Sequence, residues 1–281
     1  MNTCLFVSDL HGKMSRYEAL LKLIRKEKPD FVFIGGDLLP HTGFHDPGRS
    51  SGIRFISDFL IRKFTALKNK TECNYPEIFL VPGNDDPKFL FDLIAEGEEA
   101  ELWRNIHNRC VVTGKYRFYG YACVPPTPFK IKDWERYDIS KELGQGCIAP
   151  ADGYHSMPPG FDPETNTIES EIQVLIKDDN LEFGVFLFHS PPFNSLLDQA
   201  EIDFNKVIPA GSKAIRNFIE EKKPYITLHG HIHESVRITG EWKQFFGHTS
   251  SFSAAHDGPE LSVIKFDLHD PHSATRRLIK T

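Results

Sequence analysis

Short apolar segments that alternate with amphipathic segments constrain the fold of this chain most strongly. Residues 5–7, 31–34 and 78–81 are apolar runs, and each is followed by apolar residues at helical spacing, as in residues 17–24. A short apolar run is typical of a strand buried on both faces, and a helix is the usual connection between parallel strands. The sequence therefore predicts an α/β fold built from repeated strand–helix units.

The second half of the chain adds strands, and some of them are expected to be antiparallel. Residues 110–112 and 116–124 are β-like runs separated by a short turn, which is typical of a hairpin. Further strands are expected at residues 185–188, 225–228, 243–246 and 261–266. Residues 270–281 are interpreted as a basic tail.

Charge and hydropathy exclude several classes of function. The 33 Lys and Arg residues against 39 Asp and Glu residues give a net charge of −6, so the chain lacks a broad basic surface for nucleic acid. No apolar run approaches the ~20 residues of a membrane-spanning helix. The five cysteines are scattered without a C-x-x-C pair, and residues 1–8 lack a signal-peptide pattern. We therefore expect reduced thiols and a cytoplasmic location.

The length of the chain fits one large α/β domain, so residues 1–281 are predicted to form a single domain. Two segments, 38–52 and about 125–165, are irregular and rich in Gly and Pro. The second is longer than ordinary connections and is interpreted as a loop or cap. Substrate specificity is expected to come from these two segments, which carry no motif that names the substrate.

Polar side chains with metal-binding chemistry follow five of the predicted strands. Asp9, Asp37, Asn84 and His189 each come just after an apolar run, as do residues 229–233. Ligands bind at the carboxyl ends of strands in open α/β sheets, so we expect these side chains to converge. Carboxylate and amide oxygens with imidazoles suit Mn, Fe, Zn or Mg, and the chain has no G-x-G-x-x-G motif. The sequence therefore predicts a metal site.

The motifs that carry these residues occur in a characteristic order. They are Asp9-x-His11, Gly36-Asp37, Gly83-Asn84-Asp85-Asp86, His189 and Gly230-His231-Ile232-His233. Over residues 6–233 the chain resembles the calcineurin-like metallophosphoesterase family. The resemblance implies a four-layer α/β/β/α sandwich of two mixed sheets, with a dinuclear metal site at the carboxyl ends of the strands.

The resemblance also implies which residues hold the two divalent ions. It assigns Asp9, His11 and His233 to the first ion, Asn84, His189 and His231 to the second, and Asp37 to both. The ions are expected to be Mn, Fe or Zn, and manganese is the metal we would use for reconstitution. A hydroxide that bridges the two ions would attack phosphorus. Because imidazoles must lose a proton to bind a metal, we expect activity to fall at acid pH.

One position departs from the family pattern. The family commonly has a histidine after Asn84, which contacts the phosphate and assists the leaving group, whereas this chain has Asp85. A carboxylate repels phosphate unless it is protonated or turned away, which favours phosphodiesters or pyrophosphate-type bonds over monoesters with poor leaving groups. Asp85, Asp86 and His229 are the candidate catalytic residues.

Several of the remaining candidates have more than one interpretation. Asp86 matches the acidic residue of the family and is interpreted as a helix N-cap that also supports the site. His229 is expected to be catalytic, or to be a core residue behind the ligands. His248 stands where many relatives have an Asn-Pro-Gly-Ser turn and could contact substrate. His41 and His45 are interpreted as surface residues, although they follow the second strand closely enough to overhang the site.

The predicted function is that of a metal-dependent phosphoesterase, with a phosphodiesterase favoured, acting on a small-molecule phosphate ester. The alternative is a non-catalytic metal-binding scaffold of the same fold that binds a protein partner, although the complete ligand set argues against it. An exonuclease-like activity is a third interpretation, which the acidic balance disfavours. A homo-oligomer is compatible with the sequence.

Overall fold

Two six-stranded β-sheets lie face to face in the computed structural model, which describes residues 2–41, 49–177, 179–203 and 206–281. The strands within these residues are β1 (Thr3–Val7), β2 (Phe31–Gly35), β3 (Glu77–Val81), β4 (Arg104–Asn105), β5 (Arg109–Thr113), β6 (Tyr116–Tyr121), β7 (Gly184–Phe188), β8 (Gln199–Asp203), β9 (Lys206–Pro209), β10 (Ile226–His229), β11 (Lys243–Phe246), β12 (Thr249–Ser253), β13 (Leu261–Asp267) and β14 (Asp270–Ile279). The α-helices are α1 (Met14–Glu27), α2 (Arg49–Arg54), α3 (Arg62–Thr71), α4 (Phe91–Glu99), α5 (Ile168–Ile176), α6 (Lys213–Lys222) and α7 (Ser235–Thr239). A π-helical stretch, Phe55–Ile61, joins α2 to α3. Within the described part of the chain, no helix combines the length and the apolar character needed to cross a membrane.

The first sheet is built from the predicted strand–helix units. Its strand order is β14-β13-β1-β2-β3-β4. The strands β1 to β4 are parallel to one another, and β13 pairs antiparallel with β1. Helices lie between successive parallel strands along the chain, since α1 follows β1, α2 and α3 follow β2, and α4 follows β3. The sheet is therefore mixed, with a parallel part that the sequence predicted.

The second sheet is also mixed. Its strand order is β11-β12-β10-β7-β6-β5. The four central strands are parallel, whereas β11 and β5 pair antiparallel with their neighbours. The β5–β6 pair confirms the predicted hairpin. The strands β8 and β9 form a separate two-stranded sheet in the connection between β7 and α6.

Side chains alternate along each strand and so divide into three layers of core. In β1, Leu5 and Val7 pack with the helices of the first sheet, whereas Phe6 faces the second sheet. The space between the sheets is filled mainly by aromatic side chains: Phe6, Phe33, Phe79, Phe118, Phe252 and Phe266. Beyond the second sheet, Phe186 and Phe188 pack with α5 and α6. This order of helices, sheet, sheet and helices confirms the predicted four-layer α/β/β/α sandwich.

The interpretation of residues 270–281 as a basic tail is wrong. Residues Asp270–Ile279 form β14, which pairs antiparallel with β13 at the edge of the first sheet. Ala274 is buried on the inner face of β14, while Arg277 on the strand forms an ion pair of 2.7 Å with Glu27 of α1. Charged residues are typical of edge strands. Because of them β14 has no apolar run, and the sequence did not predict a strand there.

The irregular segment 125–165 follows β6 and contacts both sheets of the sandwich. The indole Nε1 of Trp134 donates a hydrogen bond of 2.6 Å to the backbone carbonyl of Asp86, in the loop after β3. The carboxylate of Asp138 accepts a hydrogen bond of 2.6 Å from the backbone N–H of Lys213, at the start of α6. The segment is thus fastened to the loop after β3 of the first sheet and to helix α6, which packs on the second sheet.

Candidate metal centre

The residues predicted to bind metal lie at one edge of the two sheets. The first sheet contributes Asp9 and His11 after β1, Asp37 after β2 and Asn84 after β3, and the second contributes His189 after β7 and His231 and His233 after β10. Carboxyl ends of parallel strands meet at the same edge of a sheet, and the two sheets face each other. The fold therefore brings all of these side chains together.

The loops that present these residues use a backbone conformation that is uncommon for residues other than glycine. Asp9, His11, Asp37 and His231 have φ angles of 57°, 46°, 50° and 72°. Hydrogen bonds between neighbouring loops support them, since the N–H of Asp9 donates to Gly36 O at 3.0 Å and that of His11 to Asp37 O at 2.8 Å. The loop after β1 is thus joined by backbone hydrogen bonds to the loop after β2.

Asp9, His11, Asp37 and His233 form the first half of the centre. Their ligand atoms all lie within 4.8 Å of one another. The Nε2 atoms of His11 and His233 are 3.1 Å apart, and His233 Nε2 is 3.3 Å from Asp9 Oδ1. Two imidazoles and two carboxylates that point at one small volume are a suitable donor set for a divalent first-row metal ion.

His189, Asn84 and His231 form the second half. His189 Nε2 lies 3.1 Å from Asn84 Oδ1, and the rings of His189 and His231 are 5.1 Å apart. The other ring nitrogen of His189, Nδ1, donates a hydrogen bond of 2.7 Å to the carbonyl of Gly35. In the neutral ring this bond leaves the Nε2 lone pair free to bind a metal, which is a common way to orient a metal ligand.

Asp37 lies between the two halves. Its Oδ2 is 3.7 Å from His11 Nε2, and its Oδ1 is 3.5 Å from His189 Nε2. Asp37 and Asp9 are both buried, and Asp9 Oδ2 has no hydrogen-bond partner among the described residues. A buried carboxylate oxygen without a partner is costly unless a cation balances it. The residues present therefore fit two divalent ions that share Asp37.

The charges within the centre keep protons on two of its imidazoles in the absence of metal. Burial opposes the charge on His233, but the hydrogen bond and charge of Asp9 outweigh it and raise the pKa of His233 to about 9. For His189, burial is likewise outweighed by the charge of Asp37, and its pKa rises to about 9. Burial lowers the pKa of His231 to about 3, so that ring is neutral.

Asp86 does not cap a helix, and the predicted N-cap role is wrong. Its buried carboxylate accepts hydrogen bonds from the backbone N–H groups of Gly83 (2.8 Å), Leu38 (3.0 Å) and Leu39 (2.8 Å). The N–H of Lys88, at the start of the helical turn that follows, donates to a different residue. Asp86 instead ties the loop after β3 to the loop after β2, which carries Asp37.

Asp85 points toward two imidazoles. Its Oδ2 lies 3.3 Å from His41 Nδ1 and 3.9 Å from His11 Nδ1. Its Oδ1 accepts a hydrogen bond of 3.1 Å from the side-chain amide of Asn84. Burial and the charge of Asp37 raise the pKa of Asp85 to about 7. The carboxylate is thus held by groups of the chain itself.

His41 belongs to this cluster. It is a surface residue, as predicted, and it also overhangs the site, which was the second interpretation of its position. Its ring stacks on the ring of His11 with centroids 4.5 Å apart and an interplanar angle of 20°. The sequence offered only its position four residues after Asp37 as a signal. His45, the other histidine expected near the site, lies outside the described residues.

Two other candidate histidines lie apart from the centre. His229 is fully buried, bonds Ser190 O at 2.9 Å and Thr227 Oγ1 at 2.8 Å, and stacks on Phe188 on the helix side of the second sheet. His248 is exposed in the turn before β12. Because β12 runs parallel to β10, this turn lies at the opposite edge of the sheet from the centre. The interpretation of His248 as a substrate contact is therefore wrong.

Comparison with known proteins finds relatives that match this chain along most of its length. A family model described as calcineurin-like phosphoesterase matches residues 3–235. The uncharacterized protein MJ1162 of Methanocaldococcus jannaschii is 26% identical over 232 residues, which cover 82% of this chain and 79% of that protein. The structure of TT1561 of Thermus thermophilus matches with a TM-score of 0.60 at 16% identity and covers 99% of both chains. A dimetal phosphatase from Danio rerio matches with a TM-score of 0.52 at 9% identity, covering 93% of this chain and 91% of its own. The two structural matches support the fold.

Proposed function

This chain belongs to the calcineurin-like phosphoesterases, and from that premise we propose that it hydrolyses a phosphate ester, with a phosphodiester preferred, at a dinuclear metal centre. In this proposal the first ion is held by Asp9, His11 and His233, the second by Asn84, His189 and His231, and both by Asp37. Manganese, iron and zinc all suit this set of oxygen and nitrogen donors, and manganese is our first choice for reconstitution.

The observation that carries the proposal is the position of Asp37. Its two carboxylate oxygens face different imidazoles, His11 on one side and His189 on the other. A single carboxylate between two groups of metal-binding side chains is well placed to bind a pair of neighbouring ions. The unpartnered Oδ2 of the buried Asp9 supports the same interpretation among the described residues.

Two divalent ions, when bound there, would polarise the phosphate oxygens and lower the pKa of a water between them. The chain supplies fixed geometry for this chemistry. Gly35 orients His189 through the hydrogen bond to Nδ1, and Asp86 immobilises the backbone beside Asp37 through three backbone N–H groups. The carboxylates of Asp9 and Asp37 offset part of the cationic charge.

The preference for a diester rests on Asp85. This carboxylate lies beside the centre, and its side chain is 26% exposed. A phosphomonoester carries up to two negative charges near neutral pH, whereas a diester carries one, so a neighbouring carboxylate repels the monoester more strongly. A small-molecule diester or pyrophosphate-type bond is therefore the substrate class that we propose.

The proposal is tested by comparing bis(p-nitrophenyl) phosphate with p-nitrophenyl phosphate as substrates of protein reconstituted with Mn²⁺. Asp37→Asn is the test variant, and Asp58→Asn is the matched control because Asp58 is an exposed acid in the π-helical stretch. We expect faster hydrolysis of the diester, a loss of at least about 100-fold in Asp37→Asn, and no change in Asp58→Asn.

Metal analysis together with the activity assay decides between the enzyme and the scaffold. Protein that binds Mn²⁺, Fe²⁺ or Zn²⁺ at the centre and still hydrolyses neither ester would favour the non-catalytic metal-binding scaffold. Faster hydrolysis of the monoester would leave the phosphoesterase in place and overturn the diester preference.

A further inference from the structure

We propose that His41 is a catalytic residue that donates a hydrogen bond to the bound phosphate ester, and that Asp85 holds it in place. This inference rests on the proposed function. It concerns a residue outside the set of metal ligands, in the loop that follows β2.

The exposure of His41 separates it from the imidazoles of the centre. Its side chain is 66% exposed, whereas that of His11, on which it stacks, is 6% exposed. His11 is one of the proposed ligands, so His41 lies against the face of a ligand ring, with the two ring centroids 4.5 Å apart. It therefore offers solvent an imidazole edge at the rim of the site.

Asp85 gives this ring a fixed position. One of its oxygens is occupied by the Asn84 amide, and the other lies 3.3 Å from His41 Nδ1. The ring is thus held on one face by stacking on His11 and at one edge by a carboxylate. A ring held at two points loses less conformational freedom when it binds a ligand than a free surface histidine does.

The same contacts lessen the repulsion between Asp85 and a bound phosphate without removing it, since the Asp85 side chain remains 26% exposed. Asp85 faces two imidazoles, His41 and His11, and its backbone N–H donates a hydrogen bond of 3.0 Å to Asp37 Oδ1. The carboxylate is therefore turned toward groups of the chain, and His41 is the side chain of this pair that remains open to an anion. With Nδ1 facing Asp85, Nε2 is the ring atom left to donate to a phosphate oxygen. Between these two anions the ring would carry both of its protons, with Nδ1–H toward Asp85 and Nε2–H toward the phosphate, and such hydrogen bonds are strong because donor and acceptor are charged.

The test compares His41→Ala and His41→Gln with His248→Ala, which removes an exposed histidine at the opposite edge of the sheet. Three quantities are measured on Mn²⁺-loaded protein: kcat and KM for bis(p-nitrophenyl) phosphate, the Kd of inorganic phosphate by calorimetry, and the manganese content per chain. Calorimetry supplies a readout that does not depend on turnover.

We expect His41→Ala to weaken phosphate binding about tenfold and to lower kcat/KM about 10- to 100-fold, with unchanged manganese content. His41→Gln keeps an N–H donor and should recover part of both losses. In an Asp85→Ala background the effect of His41→Ala should shrink to about threefold or less, because the two residues act together.

Three results would overturn the inference. His41→Ala could match His248→Ala in phosphate binding and in kcat/KM, or it could lose manganese, which would make His41 a metal ligand. The effects of His41→Ala and Asp85→Ala could also be additive. Wild-type protein that neither hydrolyses an ester nor binds phosphate would overturn the proposed function itself, whereas active wild-type protein with an unaffected His41→Ala variant would overturn only the role of His41.

Discussion

The close packing of the loops around Asp37 sets the shape of the proposed metal centre. A Cβ atom at Gly83 would overlap both the carboxylate and the backbone nitrogen of Asp37. Glycine is therefore needed there to let the loop after β3 approach the loop after β2. The N–H of Asp85, two residues later, donates to Asp37 Oδ1, so this approach also orients the carboxylate between the two halves.

At the residue scale, we predict that metal binding competes with protons. The pKa values of His189 and His233 are raised to about 9, so at pH 7 both rings are protonated in the metal-free protein and must become neutral to bind a metal. Loading both ions at pH 7 should release about one proton from each ring. The affinity of the protein for each ion should increase with pH up to about pH 9. The increase should be about tenfold per pH unit for every proton that binding of the ion displaces.

Calorimetry of Mn²⁺ binding in buffers with different ionisation enthalpies measures this proton release. His248→Ala is the control and should leave the proton count unchanged, since His248 lies at the other edge of the sheet. An affinity that is constant between pH 6 and pH 8 would contradict ligation by these two imidazoles.

At the scale of elements, β14 completes the first sheet and covers part of the core between the sheets. Ala274 of this strand is 5% exposed and packs in that core, whereas its neighbour Thr275 points to solvent. Because side chains alternate along a strand, two adjacent positions report on opposite faces. The end of the chain thus contributes to folding as a paired strand.

We predict that Ala274→Glu lowers the free energy of unfolding by more than about 3 kcal/mol, because it places an unpaired carboxylate in the core. Thr275→Glu adds the same side chain on the exposed face and should change the stability by less than about 1 kcal/mol. Urea unfolding measures both variants. Equal and small effects would mean that β14 does not pack against the core in solution.

At the scale of the whole molecule, the proposed metal centre joins the two sheets. Asp9 and Asp37 come from the first sheet, while His189 and His233 come from the second, and their side chains meet across the interface. Ligands that bind only the folded chain stabilise it in proportion to the logarithm of their concentration. Bound ions should therefore strengthen the contact between the sheets. The shared aromatic core is the reason to retain the single domain of residues 1–281 as a prediction.

We predict that chelation of the metals destabilises the protein. At a free Mn²⁺ concentration of about 100 times Kd, each ion contributes about 2.7 kcal/mol, which corresponds to an increase in Tm of about 5 °C or more for a chain of this size. Thermal unfolding followed by circular dichroism, with Mn²⁺ and with EDTA, measures the difference. Asp37→Asn should show almost no difference between the two conditions, and a full shift in that variant would argue that Mn²⁺ binds elsewhere.

The polar residues at the ends of strands could be predicted because the apolar runs before them are visible in the local sequence. Asp9, Asp37 and Asn84 follow apolar runs, and their chemistry and order along the chain sufficed to predict that they converge. The parallel strand–helix units were predictable for the same reason, since hydrophobic periodicity is a local property of the chain. The resemblance to the calcineurin-like family, carried by these motifs, then implied the proposed ligand set, and the structure added its distances.

The tertiary structure alone decided the features that depend on distant partners. The strand β12 was not predicted because it is rich in Ser and Thr and lacks the apolar run of a buried strand. In the folded chain its polar side chains find partners, as in the 2.6 Å hydrogen bond between Ser251 and Thr227. The contact of His41 with Asp85 joins the loop after β2 to the loop after β3. The hydrogen bonds from the backbone of Leu38 and Leu39 to Asp86 join the same two loops. Local sequence determines which residues form strands and which can bind a metal, but only the folded chain determines which polar groups become neighbours.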